Sequence, residues 1–242
     1  MGLYRTSNDQ DVSFYKNEQH KHQFGNDTEW FDEQTNLNIE EECRIDISSW
    51  QYRYNYESEL LSEIITVNNI KKIIELGSGP GELGQKILNR NPDLDYTFID
   101  QVGAEKIFQK RNFLGKFIVK DLMNSFDTSD LEPSYDFLIT NDFLEHIYNP
   151  SVVMQESYKI IKNDGFLFVS VPNWRMGHTF IYRGLFDFDN FIYFSQTHGF
   201  KVLNVFRSPL TCMNTPKLDT ETLMDDSLIT SWNWYFLFKK IV

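Results

Sequence analysis

Cysteine is nearly absent: Cys43 and Cys212 are the only two among 242 residues. Two thiols cannot build a disulfide framework or a four-thiolate zinc site. One bridge is possible in principle; two reduced thiols are the simpler reading. Long apolar runs are missing as well. No stretch approaches the roughly 18 residues that a membrane helix needs. The opening Met1-Gly2-Leu3-Tyr4-Arg5-Thr6 lacks the apolar segment of a signal peptide. The expectation is a soluble, cytoplasmic protein without a membrane partner. Basic residues are scarce, 23 Lys and Arg against 35 Asp and Glu, for a net charge of −12. Holding phosphates requires clustered Lys and Arg, so nucleic acid is not an expected partner.

Apolar side chains are plentiful. The chain is 41% hydrophobic and 16% aromatic, with 21 Phe, a composition that supports a sizeable folded core rather than disorder. The acidity is unevenly placed. Residues 1–70 hold five Lys and Arg against 14 Asp and Glu, a net of −9; residues 71–242 hold 18 against 21, a net of −3. The first region has no proline, and its only glycines are Gly2 and Gly25, yet it carries ten aromatic residues. A plain acidic tail is poor in aromatics. Residues 1–70 therefore read as an ordered acidic, aromatic extension. It is expected to serve as a lid over a site, or as a surface for oligomer formation. Within it, residues 51–67 suit a helix: Tyr54, Leu61, Ile64 and Ile65 share one face, with Glu57, Glu59 and Glu63 mostly elsewhere. Trp50, Tyr52, Tyr54 and Tyr56 also alternate at period two, as in a strand.

From residue 71 the pattern alternates strand and helix. Strands are predicted over Lys71–Leu76, Leu94–Ile99, Lys116–Val119, Tyr135–Thr140 and Gly165–Val171, with helices over Glu82–Asn89, Ala104–Arg111 and Ser151–Ile161. Strands separated by helical crossovers imply a largely parallel sheet. Lys201–Phe206 and Ser231–Lys239 read as two further strands.

Ile74-Glu75-Leu76-Gly77-Ser78-Gly79-Pro80-Gly81-Glu82-Leu83-Gly84 joins the first strand to the first helix of this array. Glycines there permit positive φ and a close ligand, and the helix start offers free amide donors. Gly79, Gly81 and Gly84 satisfy the dinucleotide pattern GxGxxG, on its own a weak signal. Asp100 ends the second strand, followed by Gln101; an acid there can accept hydrogen bonds from ribose hydroxyls in either reading.

The run ELGSGPGELG is similar to the first motif of the class I S-adenosylmethionine-dependent methyltransferases, with Glu75 two residues before the first glycine. Four later segments also resemble that family, in the same order. Phe117–Leu122 ends in Asp121-Leu122. Asn141-Asp142-Phe143-Leu144-Glu145-His146-Ile147 follows the fourth strand. Ile160–Leu167 resembles the turn into strand five, and Ser170-Val171-Pro172-Asn173 resembles the ending seen in the ubiquinone-biosynthesis-like O-methyltransferase branch.

The resemblance implies an α/β, Rossmann-like, seven-stranded sheet whose last strand is antiparallel, occupying residues 71–242. It implies S-adenosylmethionine as cofactor, bound through Glu75, Gly77, Ser78, Gly79, Gly81, Asp100, Gln101, Asp121, Leu122, Asn141 and Asp142. His146 is the candidate catalytic base, since an imidazole with a pKa near 6.5 takes a proton from a hydroxyl. The expected reaction is O-methylation of a small-molecule acceptor. Relatives with an Asp142-x-x-Glu145-His146 run can hold a divalent ion with a later histidine. Here Asn190 stands at that position in Gly184–Phe194, with His178 and His198 as possible replacements. The metal is therefore left open. The competing readings are a non-catalytic binding or scaffold protein on the same fold and a nicotinamide-dependent oxidoreductase.

Overall fold

The structure is a computed structural model and describes residues 47–122, 126–147, 149–172, 185, 188–207 and 233–241. Most of the acidic extension, residues 1–46, lies outside the described residues, as do His178 and the start of the Ser231–Lys239 run.

Chain order is helix α1 (Ile47–Val67), strand β1 (Lys72–Leu76), α2 (Glu82–Arg90), β2 (Asp95–Asp100), α3 (Val102–Lys110) and β3 (Lys116–Val119). It continues with β4 (Tyr135–Asn141), a 3-10 turn (Leu144–His146), α4 (Pro150–Ile160), β5 (Ile161–Pro172), α5 (Phe188–Thr197), β6 (Phe200–Arg207) and β7 (Asn233–Lys240). The seven strands form one sheet in the order β3-β2-β1-β4-β5-β7-β6. Pairs β1/β2, β2/β3, β1/β4 and β4/β5 are parallel, and β7 runs antiparallel to both β5 and β6. This is the sheet expected from the sequence. Among the described residues no helix is long and apolar enough to cross a membrane.

Alternation along the strands splits the core into two layers. One face buries Ile73, Phe98, Phe137, Phe168, Tyr235 and Leu237 beneath Leu61, Ile64 and Ile65 of α1 and Ile87 of α2. The other buries Ile74, Leu138, Val169, Phe236 and Phe238 against Met154 of α4 and Phe191 of α5. The phenylalanine rings pack there in sequence, Phe191 tilted against Phe236 at 5.0 Å and Phe236 stacked on Phe238 at 5.7 Å between ring centroids.

Three expectations are corrected. Residues 50–56 are helical, not strand-like, because α1 starts at Ile47. Glu57 is not on the outer face of that helix; it is fully buried at the position four residues before Leu61. The strand expected from Gly165 begins at Ile161, which is already extended and pairs with Tyr135. Lys240 secures this junction: its ammonium donates to the carbonyls of Tyr158 and Ile161, both at 2.7 Å, and so satisfies acceptors at the end of α4.

Strand order places the ligand crevice. The chain runs β1 to β2 to β3 in one direction across the sheet and then returns to β4 on the other side of β1. Such a reversal opens a crevice at the carboxyl ends of the two central strands. Gly77 to Gly81 leave β1 at that point, and Asn141 ends β4 beside them, one step beyond the Leu76–Thr140 pair.

Gly84 sets how closely α2 lies on the sheet. A Cβ there would stand 2.2 Å from Phe98 Cε1 and 2.9 Å from a Glu75 carboxylate oxygen. Gly84→Ala should therefore cost about 1–3 kcal/mol through overpacking, measured by urea unfolding. A loss below about 0.5 kcal/mol, the ordinary scatter of neutral sites, would contradict this close approach.

Candidate functional site

The turn after β1 is held by left-handed glycines. Gly77, Gly79 and Gly81 have φ of 68°, 53° and 91°, a region that costs other L-residues about 1–2 kcal/mol. Space adds to the demand at Gly77, where a Cβ would lie 2.2 Å from the Phe143 ring. Gly79 faces open space, with nothing within 4 Å of a Cβ, so a ligand can approach the backbone there. The turn is pinned from β2: Asp100 accepts from the Gly79 amide at 2.6 Å and from the Gln101 amide at 2.7 Å. Ser78 is buried, and its hydroxyl donates to the Gly79 carbonyl at 3.2 Å. The structure thus brings Gly77, Ser78, Gly79, Gly81, Asp100 and Gln101 into one cradle.

Asp121 and Leu122 follow β3. Asp121 is exposed, while Leu122 is buried in the core. The Glu75 carboxyl does not enter the cradle. It is buried beneath α2, where Oε2 accepts from the Tyr96 hydroxyl at 2.8 Å. Burial pushes its pKa up to about 8 despite that hydrogen bond.

At the end of β4 a polar knot replaces the apolar face. Asp142, with φ of 49°, pairs with the Arg53 guanidinium of α1. The Ser170 hydroxyl donates to Asp142 Oδ1 at 2.6 Å, and the Asn233 amide donates to the same oxygen. Glu57 of α1 accepts from the Tyr235 hydroxyl at 2.7 Å and from Asn141 Nδ2 at 3.2 Å, with Arg53 Nε also 3.2 Å away. Burial raises the Glu57 pKa to about 7, against the opposing pull of Arg53 and with some help from Asp142. Sequence reading missed Arg53, Glu57, Tyr235 and Asn233 as members of this cluster. One signal was available: residues 57, 61, 64 and 65 share the spacing of a buried helical stripe.

The 3-10 turn that follows carries Glu145 and His146. Glu145 is fully buried; burial, then the nearby Asp142 charge, holds its pKa well above the usual carboxylate range. His146 is half-buried, and its backbone amide donates to the Phe143 carbonyl at 2.9 Å. Asn190 is exposed on α5. His198 Nδ1 lies 2.8 Å from the Phe194 carbonyl. Among the described residues no group of three or more His, Cys, Asp or Glu side chains is placed to hold a metal ion.

Glu75 generates a pH prediction. Its folded-state pKa of about 8 lies above the ordinary 4.5, so the folded protein binds the extra proton between those values. The associated stability is complete below about 4.5 and is lost as pH rises through about 8. Glu75→Gln mimics the neutral form. The Tm of the variant relative to wild type should rise from pH 5 to about pH 8 and then level off in thermal melts; a difference that is constant or falls across that range would contradict a buried neutral carboxyl.

Comparison with known proteins agrees with this geometry. A family model for a methyltransferase domain matches residues 50–207. The chain matches no curated protein. Its fold is similar to that of 1,6-didemethyltoxoflavin-N1-methyltransferase from Burkholderia thailandensis, crystallised with 1,6-didemethyltoxoflavin and S-adenosylhomocysteine. The identity is 13%, the TM-score is 0.59, and the match covers 88% of each chain. It is similar to the plantazolicin methyltransferase BpumL, crystallised with a monoazolic desmethylPZN analog and SAH, at 13% identity and TM-score 0.59, over 97% of this chain and 99% of that one. A third similar fold is an S-adenosylmethionine-dependent methyltransferase from Clostridium acetobutylicum, at 10% identity and TM-score 0.56, over 78% and 92%. At such identities the structures bear on the fold alone. The family model spans well over half of the 242 residues. The chain belongs to the methyltransferase-domain family and is a class I S-adenosylmethionine-dependent methyltransferase.

Proposed function

We propose that the protein transfers the methyl group of S-adenosylmethionine to a hydroxyl of a small-molecule acceptor, with His146 as the base. The observation that carries this reading is the pinned glycine cradle at the switch point of the sheet, with a half-buried histidine on the first turn after β4. The residues fit the cofactor. Gly79 leaves open space beside the backbone. Asp100 uses its carboxylate to hold two amides and retains lone pairs for ribose hydroxyls. Gln101 and Asp121 follow the neighbouring strands β2 and β3, where an adenine ring needs polar partners, and the backbone amide of Leu122 serves a ring nitrogen while its side chain stays in the core. Asn141 and Asp142 border the same space from β4. Glu75 acts from beneath the turn.

When bound, the cofactor supplies an electrophilic methyl on a sulfonium. The protein's part is alignment and proton removal. In this reading the cradle and the β4 end fix the cofactor side, and His146 accepts the acceptor's hydroxyl proton. The favoured branch is the ubiquinone-biosynthesis-like O-methyltransferases, supported by Ser170-Val171-Pro172 at the end of β5. The segment up to residue 70 is assigned to the lid: α1, its described part, already contributes Arg53 and Glu57 to the strand ends.

Calorimetry with S-adenosylmethionine and S-adenosylhomocysteine, together with label transfer from methyl-labelled cofactor to a panel of phenols and polyols, tests the proposal. Binding of both cofactor forms and methylation of a hydroxyl compound are expected. His146→Ala should lower kcat by roughly 10²–10⁴ while leaving cofactor affinity in place. Transfer to amines but not hydroxyls would overturn the O-methylation assignment, and an undiminished kcat in His146→Ala would remove His146 as the base.

A further inference from the structure

Helix α1 buries a carboxylate on an otherwise apolar stripe. Glu57 is completely inaccessible, and the next residues on its face are Leu61, Ile64 and Ile65. Replacing a buried ion pair with well-packed apolar residues is often neutral or stabilising, so packing gives no reason for a carboxylate here. Its contacts do. One oxygen accepts from the Tyr235 hydroxyl at 2.7 Å with Arg53 Nε at 3.2 Å, and the other accepts from Asn141 Nδ2 at 3.2 Å.

The consequence falls on the other end of the Asn141 amide. An ionised carboxylate only accepts hydrogen bonds. In the structure Asn141 turns its NH₂ toward Glu57 Oε2, the arrangement an ionised Glu57 requires, and its carbonyl oxygen away. That Oδ1 is buried and has no hydrogen-bond partner among the described residues. It sits on the last residue of β4, beside the Gly77 turn, at the crevice formed by the strand-order reversal. A buried amide oxygen without a partner carries a desolvation cost that a ligand donor removes. The surrounding charge selects the kind of donor. The carboxyls of Glu57, Asp142 and Glu145 gather here with the Arg53 guanidinium; a cationic donor draws the raised-pKa Glu57 and Glu145 toward their ionised forms, whereas a carboxylate at the same point would meet no such gain.

We propose that Glu57 is a positioning residue of the cofactor site: it fixes the Asn141 amide so that Oδ1 accepts a hydrogen bond from the α-ammonium group of S-adenosylmethionine. The proposal rests on the cofactor site read above. It assigns Glu57 no contact with the ligand. The residue acts through Asn141, and the orientation of that amide is its output.

Two probes separate this role from a structural one, and neither needs an acceptor. S-adenosylhomocysteine carries the ammonium group; 5′-methylthioadenosine shares the nucleoside and lacks the amino-acid part. Titration calorimetry on the full chain should show that Glu57→Gln weakens S-adenosylhomocysteine about tenfold, the scale of one charge-assisted hydrogen bond, and leaves 5′-methylthioadenosine unchanged. The new carboxamide donates to Asn141 Oδ1 and reverses the amide. Asn141→Ala, which removes the oxygen, should show the same selective loss. Equal weakening of both ligands, or of neither, in Glu57→Gln would overturn the proposal. Retention of the preference by Asn141→Ala would overturn it too, whether or not Glu57→Gln folds. Failure of the wild-type protein to bind S-adenosylhomocysteine is a different result and would remove the cofactor-site reading itself.

Discussion

A carboxylate taken out of water must be met by donors, and Glu57 is met from three separate elements. Arg53 comes from the preceding turn of α1, Asn141 from the end of β4 and Tyr235 from the start of β7. Asn141 and Tyr235 are far from Glu57 in sequence, so the full set of contacts exists only when the sheet is complete and α1 lies on it. The same guanidinium reaches Asp142, which Ser170 and Asn233 also hold. One buried carboxyl thus ties α1 to the end of β4 and to β7 and sets the Asn141 amide.

The glycine turn supplies the opposite quality. It is built from backbone with little side chain, and its shape depends on φ values that glycine alone adopts without cost. Asp100 anchors it through the Gly79 and Gln101 amides, while Phe143 occupies the space a side chain at Gly77 would need. A backbone surface on the β1 side and a preset amide on the β4 side together frame the reversal point of the sheet. Methyl transfer depends on alignment more than on a reactive protein group, and this is the kind of framework that provides it. The buried, raised-pKa carboxyls of Glu75 and Glu145 add acid around the site without exposing fixed negative charge to solvent.

The sequence made the sheet legible because its signals are local. Short apolar strands, a glycine turn and alternating helical stretches mark β1 to β5, and the aromatic run ending at Lys239 marks β7. The cradle was legible for the same reason: Gly77, Gly79 and Gly81 sit in one motif, and Asp100 closes the next strand. The knot was not. Arg53 and Glu57 belong to a helix whose acidic residues look solvent-facing when counted by composition. Glu59 does face solvent and meets Arg90 there, whereas Glu57 turns inward two residues earlier. The direction of the Glu75 carboxyl was hidden too, because strand alternation sends it beneath α2 toward Tyr96 rather than into the turn. Long-range polar pairing leaves no periodic trace, which is why these partners emerge only with the fold.

The central claim is that a carboxylate from α1 presets the ligand-facing atoms at the end of β4. A crystal structure with bound S-adenosylhomocysteine tests it most directly. The account predicts Asn141 Nδ2 on Glu57 and Asn141 Oδ1 within hydrogen-bond reach of the ligand's ammonium nitrogen, with the ribose hydroxyls on Asp100. A ligand whose amino-acid end lies away from Asn141, or an Asn141 amide released from Glu57, would contradict it.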